Sequence, residues 1–253
     1  MISSLRDTAA HVFVDDLNAP HPGADDEHHL AKVLRLRDGE IVSCSDGAGK
    51  WRLAEWSRGE LVIGATDEFV VRHEQPPAYE IAVAFVPVKG DRPEWAVQKL
   101  TELGVDRIVP LLPTRRAVVK WSGDRLDKQL DKWRRVAREA AMQSRRTRLP
   151  VVEEFVSLSD ACARPGAAVA DPDGGEPGES TRLVIIGPEG GFDPEEVRTD
   201  VPHVSLGDTI LRAETATLVA ATLLGHVRAT AARHSTSLNS DSRHSTTGHR
   251  HHG

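Results

Sequence analysis

The stretch that decides the fold is LVIIGPEGGFDPEEV, residues 183–197, in which an apolar run stops at a glycine-rich turn. A short, continuous apolar run is typical of a strand buried in a parallel sheet. Gly190 and Gly191 permit positive φ angles and let a ligand approach the backbone closely. Asp193 as N-cap, Pro194 at the first helical position and Glu196 in a capping box then predict the start of a helix. Taken alone, the pattern fits a plain strand-to-helix turn as well as a ligand-binding loop at the carboxyl edge of a sheet.

A second loop of the same kind favours a binding site. The segment VSLGDTILRAETA, residues 204–216, also leaves a strand at a glycine and leads into a helix. Two such loops at adjacent strand ends predict a pocket with apolar walls and free backbone amides, which suits an adenine ring. Neither a G-x-x-x-x-G-K-[ST] phosphate loop nor a G-x-G-x-x-G turn after a strand occurs, so the preferred ligand is an adenosine without a phosphate chain, and S-adenosylmethionine fits. The predicted cofactor-binding residues are Gly187, Pro188, Glu189, Gly190, Gly191, Leu206, Gly207, Ile210, Leu211 and Arg212.

The order of elements around these loops predicts an α/β fold preceded by a smaller β domain. From about residue 79, apolar runs alternate with amphipathic helical segments, as in a mostly parallel sheet covered by helices. Residues 1–72 instead contain short strands separated by Asp-Gly and Arg-Gly turns, as in a small β-barrel or sandwich. We expect a first domain at 1–72, a linker at 73–78, an α/β domain at 79–232 and a disordered tail at 233–253.

Composition narrows the class of protein. Two cysteines in 253 residues argue against a disulfide framework and favour the reducing cytoplasm. No apolar segment reaches the roughly 18 residues of a membrane span, and the first residues do not resemble a signal peptide. We therefore expect a cytoplasmic protein with no membrane partner. The scattered histidines, including those of the HRHHG terminus, predict no functional metal site.

The charge distribution suggests a polyanionic partner, although the net charge is -6. Residues 115–148 carry twelve Lys and Arg against four Asp and Glu, a local excess of +8. This stretch suits RNA bound on one face, and a plain solvated helix face is the alternative reading. In the first domain, Lys32 and Arg35 have the i, i+3 spacing of one helix face. The predicted RNA-binding residues are Lys32, Arg35, Arg37, Arg115, Arg116 and Lys120.

Several long segments resemble one known family. KGDRPEWAVQKLTELGVDRIVPL, IIGPEGGFDPEE and LGDTILRAETA are similar to motifs of the ribosomal RNA small subunit methyltransferase E family, and HHLAKVLRLRDGE is similar to a segment of its PUA-like β-barrel. The resemblance covers about residues 11–230. It implies a PUA-like RNA-binding barrel followed by a SPOUT domain with a trefoil knot. It also implies S-adenosylmethionine bound in that knot, a homodimer, and methylation of N3 of a uridine in the 16S rRNA of the small ribosomal subunit.

The sequence departs from the family pattern at three places. Met142 stands where an acidic residue is usual. His11 stands where an arginine is expected before the aromatic residue of the first strand. The acidic segment 171–180 is a long insert, which we expect to be poorly structured.

The chemistry implied by this resemblance gives roles to two loop residues. N3 of uridine must lose its proton before it can attack a sulfonium methyl group, so positioning and stabilisation of negative charge are the main requirements. Arg212 is predicted to stabilise the developing uracil anion or to orient the base. Glu189 could take the proton or could hold nearby backbone amides. The competing interpretations are a SPOUT enzyme that methylates ribose 2′-OH of tRNA or rRNA, and an rRNA-binding assembly factor without catalysis.

Overall fold

The computed structural model describes residues 4–244, which contain an N-terminal sheet of five strands. The strands are β1 (Ala10–Phe13), β2 (Ile41–Ser45), β3 (Lys50–Ser57), β4 (Glu60–Val62) and β5 (Arg72–His73). β1 pairs in parallel with β2, whereas β3 runs antiparallel to β2, β4 and β5. The helical segments of this part are a 3₁₀ turn at Leu5–Asp7, helix α1 (Ala24–His28), a π-helical turn at His29–Val33 and a 3₁₀ turn at Asp67–Phe69.

A second sheet of six strands follows, and all of its pairings are parallel. Its strands are β6 (Ala82–Phe85), β7 (Arg107–Pro110), β8 (Val151–Val152), β9 (Ala167–Gly175), β10 (Leu183–Ile186) and β11 (His203–Val204). Their order across the sheet is β11-β9-β10-β6-β7-β8. The predicted α/β class with a parallel sheet is therefore confirmed.

Four helices accompany this sheet: α2 (Arg92–Glu102), α3 (Asp124–Gln143), α4 (Leu158–Cys162) and α5 (Ala213–His244). α2 packs against both α3 and α5, and α5 also lies on β6 and β10. The fully buried Trp133 of α3 fills the space between helices and sheet, with ring centroids 5.9 Å from Phe85 and 5.6 Å from Phe155. This apolar layer holds α2, α3 and α5 on one face of the strands whose carboxyl ends carry the glycine-rich loops, whereas α4 packs on the opposite face.

Two local predictions are wrong. No helix begins at Asp193, and residues 193–200 form turns, a bend and irregular chain instead. The Asp193 carboxylate does accept a hydrogen bond from the backbone amide of Glu195, at 3.1 Å. The Glu196 carboxylate, however, accepts from the backbone amide of Arg115 at 2.9 Å instead of closing a capping box. The acidic insert is also more ordered than expected, since β9 extends to Gly175 and pairs there with β11.

The N-terminal sheet is attached to the C-terminal end of α3. His11 of β1 contacts the Arg146 carbonyl oxygen through Nε2 at 3.0 Å. The Arg138 guanidinium donates two hydrogen bonds to the Asp26 carboxylate, at 3.0 and 2.6 Å. The Ser45 hydroxyl donates to a backbone carbonyl of the same segment, that of Thr147, at 2.8 Å. One stretch of chain, residues 138–148, therefore holds the first sheet in position.

Helix α5 reaches into the segment that the composition predicts to be disordered. It continues past Arg233 to His244, because each added residue of a nucleated helix gains a backbone hydrogen bond. Residues 245–253, including HRHHG, lie outside the described part of the chain. The domain bounds and the tail remain predictions.

Candidate functional site

A cavity of about 200 Å³ opens at the carboxyl ends of β10 and β11, beside the part of β9 that extends past its pairing with β10. Eight of the ten predicted cofactor-binding residues line it: Gly187, Pro188, Glu189 and Gly191 from the loop after β10, and Leu206, Gly207, Ile210 and Leu211 from the loop after β11. Phe192 and the first turn of α5 complete the apolar part of its wall. The two predicted loops therefore do converge on one space, at the edge where α/β sheets bind ligands.

The cavity has a third wall that sequence reasoning missed. β10 and β11 are not adjacent, as the sequence analysis supposed, because β9 lies between them. The middle of β9, just beyond its pairing with β10, therefore contributes Ala170, Asp171 and Pro172 to the lining. Only the order of strands reveals this wall, since residues 170–172 are separated from both loops along the chain, and two of them belong to the acidic insert.

The loop after β10 is shaped by close backbone contacts. The Gly191 amide donates to the Pro188 carbonyl at 2.8 Å, and Gly191 has a φ of +68°. A Cβ atom at Gly187 would lie 3.2 Å from the Phe192 ring, so the ring packs directly against the loop backbone. Gly190 does not line the cavity, and its carbonyl accepts from Nη1 of Arg116 at 3.2 Å.

The basic residues after β7 hold the outer side of this loop. Arg115 donates through Nη1 to the Glu195 carboxylate at 2.7 Å, and this hydrogen bond, together with nearby Asp193, raises the pKa of Arg115. Lys120 donates through Nζ to the carbonyl oxygens of Thr114 and Arg115. Three of the predicted RNA-binding residues, Arg115, Arg116 and Lys120, therefore make their hydrogen bonds within the protein.

The other three predicted RNA-binding residues, Lys32, Arg35 and Arg37, form what we call the N-terminal basic patch. All three are exposed, and within residues 4–244 none of their side chains makes a hydrogen bond or ion pair. The shared helix face is wrong, because Arg35 has a φ of +53° and lies beyond the π-helical turn that contains Lys32. The patch remains a compact run of exposed positive charge.

Glu189 is held by a residue that sequence reasoning did not single out. Nη1 of Arg92, in the first turn of α2, lies 2.7 Å from Oε1 of Glu189 and 3.8 Å from Oε1 of Glu214. Arg92 thus joins the loop after β10 to the start of α5, across 97 residues of chain. The available signal was the KGDRPEW part of the first family motif, in which the sequence analysis gave no role to Arg92.

Arg212 lies at the rim of the cavity. It immediately precedes α5, and its carbonyl accepts from the Ala216 amide at 2.8 Å. Its side chain is exposed, does not line the cavity, and makes no hydrogen bond or ion pair to the residues that the structure describes. Arg212 is thus an exposed arginine between Leu211 and Ala213, two residues that line the cavity.

The departures at His11 and Met142 both lie at the contact between the first sheet and α3. His11 is buried, its Nδ1 lies 2.8 Å from the Ser43 hydroxyl, and burial lowers its pKa to about 4. Met142 packs against the apolar core of the N-terminal sheet. In this chain both residues serve the attachment of the two parts.

Among the side chains that the structure describes, no group of three or more His, Cys, Asp or Glu is arranged to hold a metal ion. Over the same residues, no helix combines the length and apolar character of a membrane span.

Solved structures share this fold. A methyltransferase from Legionella pneumophila, solved in complex with S-adenosylmethionine, superposes with a TM-score of 0.71 at 24% identity, covering 88% of this chain and 97% of that one. A ribosomal RNA small subunit methyltransferase E from Neisseria gonorrhoeae, bound to S-adenosylmethionine, gives a TM-score of 0.68 at 23% identity, covering 86% and 97%.

Sequence comparisons identify the family. An RNA methyltransferase domain model matches residues 74–225, and an RNA methyltransferase PUA domain model matches residues 22–58. Ribosomal RNA small subunit methyltransferase E of Mycobacterium tuberculosis is 33% identical, over 88% of this chain and 89% of that protein. The protein of the same name from Bacillus subtilis is 31% identical, over 80% and 88%. With the resemblance of its motifs thus confirmed over most of its length, the chain belongs to the ribosomal RNA small subunit methyltransferase E family.

Proposed function

We propose that this protein is an S-adenosylmethionine-dependent methyltransferase that methylates N3 of a specific uridine in the 16S rRNA of the small ribosomal subunit. The observation that carries the proposal is the cavity between the two glycine-rich loops, in a chain of this family. Two relatives of the same fold were solved with S-adenosylmethionine bound. Both the position of the cavity and its lining suit an adenosine compound.

The residues present fit this cofactor. Phe192, Ile210 and Leu211 offer apolar surface for an adenine ring. A Cβ built at Gly191 would meet nothing within 4 Å, so open space lies beside the loop backbone. When bound, S-adenosylmethionine supplies an electrophilic methyl carbon whose sulfur departs as a thioether once a deprotonated N3 attacks. The chain itself must bind the two reactants, align them and stabilise the uracil anion.

Arg212 is the residue that we propose for stabilising the uracil anion. Its exposed guanidinium, on the residue that immediately precedes α5, can donate to an oxygen of the base. Glu189 has the alternative roles of proton acceptor and loop anchor. Its ion pair with Arg92 favours the anchoring role, because the pair ties the loop to α2.

The target atom constrains how RNA binds. N3 lies on the Watson–Crick edge, so the uridine must be unpaired or extruded before it enters the site. We propose that the N-terminal basic patch contacts RNA phosphates. Arg115, Arg116 and Lys120 would first have to exchange their intramolecular partners for RNA.

We also propose the knot and the homodimer that the family implies. The chain leaves β11 at one edge of the sheet and returns as α5 over β6 and β10, a path compatible with threading. An open groove with apolar lining, including Leu103, Ala221 and Gly225, runs beside α5 and offers a surface for a second copy. Light scattering should report a dimer that a Gly225→Arg substitution disrupts, and a monomeric wild type would refute the dimer.

The proposed function is tested by assay of cofactor binding and methyl transfer. Calorimetry should detect binding of S-adenosylhomocysteine, and tritium from labelled S-adenosylmethionine should enter 16S rRNA of subunits from a strain lacking the enzyme. Nucleoside mass spectrometry of the product should show N3-methyluridine. Detection of a 2′-O-methylnucleoside, or RNA binding without any transfer, would instead support one of the two competing interpretations. Assays of free 16S rRNA and of assembled subunits in parallel identify the true substrate.

The role of Arg212 is tested separately. Arg212→Ala should lower kcat strongly and leave the Kd for S-adenosylhomocysteine nearly unchanged, because the side chain does not line the cavity. Arg198→Ala, at another exposed arginine of the C-terminal part, is the matched control. An equal effect on kcat and cofactor affinity, or none on either, contradicts the assignment.

A further inference from the structure

We infer that Asp171 binds the ribose hydroxyls of the nucleoside held in the cavity, an inference that rests on the proposed function. Asp171 lines the cavity from the middle of β9, the strand that lies between the two strands followed by the glycine-rich loops. Among the cavity-lining side chains of the described residues, the charged ones are Asp171 and Glu189, and Glu189 is paired with Arg92. Asp171 is therefore the lining carboxylate that is not used to join loop to helix.

The Asp171 carboxylate is held in one orientation. Oδ1 accepts from the backbone amide of Asp173 at 2.9 Å, and Oδ2 lies 2.9 Å from Nδ1 of His203. An ionised carboxylate offers about four lone-pair sites. One contact on each oxygen leaves one further acceptor site on each, and neighbouring O–H donors of a ribose match such a pair.

A ribose suits this position better than a cationic group of the ligand. The Asp171 side chain is 35% exposed, and an ion pair at that exposure contributes little affinity. Paired hydroxyl donors gain from direction as well as charge. Adenine against Phe192, Ile210 and Leu211 would leave the sugar toward β9, and an acidic side chain on the ribose is a recurrent solution in nucleotide-binding α/β proteins.

His203 is a positioning residue that orients the Asp171 carboxylate. β11 pairs with β9 at His203, opposite Val169, so the imidazole lies beside the Asp171 carboxylate by strand register. The histidine does not line the cavity. Its substitution should therefore weaken ribose recognition only through the orientation of Asp171.

The test is calorimetry with three ligands: S-adenosylhomocysteine, its 2′-deoxy analogue, and methylthioadenosine, which keeps the ribose but lacks the amino-acid end. The variant is Asp171→Asn, and Asp173→Asn is the control because it removes the same charge from a side chain outside the cavity. Wild type should bind S-adenosylhomocysteine at least about tenfold more tightly than the deoxy analogue. Asp171→Asn should abolish this preference and weaken methylthioadenosine by a similar factor, whereas Asp173→Asn should keep both.

The outcomes separate this inference from the proposed function. If wild type binds no S-adenosylhomocysteine, the proposed function fails. If wild type binds it but Asp171→Asn keeps the preference for the ribose hydroxyl, the inference fails alone. A loss confined to S-adenosylhomocysteine, with methylthioadenosine unchanged, would assign Asp171 to the amino-acid end and would also overturn it. His203→Gln, which leaves the carboxylate in place, should reduce the ribose preference partially, and circular dichroism checks that each variant is folded.

Discussion

His11 should make the stability of the protein depend on pH between about 6.5 and 4. Its ring is buried between Ser43 of β2 and Arg146, just after α3, and burial lowers its pKa from 6.5 to about 4. Because the unfolded chain takes up this proton first, acid favours unfolding. No stability is lost above pH 6.5, and the loss grows by about 1.4 kcal/mol per pH unit below it. It is complete below pH 4, at about 3 kcal/mol in total.

The assay compares wild type with His11→Gln, which removes the titrating group, by urea denaturation at pH 7 and pH 5. Gln lacks the proton uptake, so the stability advantage of wild type over the variant should shrink by about 2 kcal/mol between these pH values. Other ionisable groups are common to both proteins and cancel. His21→Gln, at an exposed histidine of the same part of the chain, is the control. A difference between wild type and His11→Gln that stays constant with pH would refute the reasoning.

Three further outcomes are expected. A Cβ at Gly174 would lie 2.5 Å from the backbone nitrogen of Val204, so Gly174→Ala should push β11 away from β9, lower the free energy of unfolding by about 1–3 kcal/mol and weaken S-adenosylhomocysteine binding. Gly178→Ala is the control, because a Cβ there meets nothing within 4 Å and should change neither stability nor binding. Equal effects of the two substitutions in calorimetry would contradict this prediction. Arg138→Ala removes two hydrogen bonds from the Asp26 carboxylate, whose side chain is only 10% exposed. Urea denaturation should show that the free energy of unfolding falls by about 2 kcal/mol, and by less in an Asp26→Asn background. Replacing the three residues of the N-terminal basic patch with Gln should reduce the slope of log Kd against log salt for single-stranded rRNA by about 2, and an unchanged slope would exclude phosphate contacts there.

Sequence reasoning succeeded where the signal is local. The glycine-rich turns and the alternation of apolar runs with helical segments depend on neighbours in the chain, and both loops line the cavity. Prediction from the sequence failed where the local structure depends on a residue that is distant along the chain. The helix predicted at Asp193 is absent while Glu196 bonds the backbone of Arg115, 81 residues away. The ion pair of Arg92 with Glu189 and the position of Asp171 beside the cavity depend on contacts between distant parts of the chain, so local sequence patterns do not predict them.

The departures from the family pattern at His11 and Met142 indicate how the N-terminal sheet is held at a fixed position relative to the cavity. His11 contacts the chain just after α3, and Met142, near the end of that helix, packs against the core of the first sheet. The proposed RNA contacts of the N-terminal basic patch lie on that first part, whereas Arg212 lies at the rim of the cavity. The segment 138–148 therefore sets the distance between the proposed RNA contacts and the proposed site of chemistry. A change there, such as Arg138→Ala, should therefore raise the KM for RNA and lower kcat while the Kd for S-adenosylhomocysteine stays constant. A substitution in the cavity wall should instead change the Kd for S-adenosylhomocysteine and leave the KM for RNA constant, because it alters cofactor affinity without moving the N-terminal basic patch.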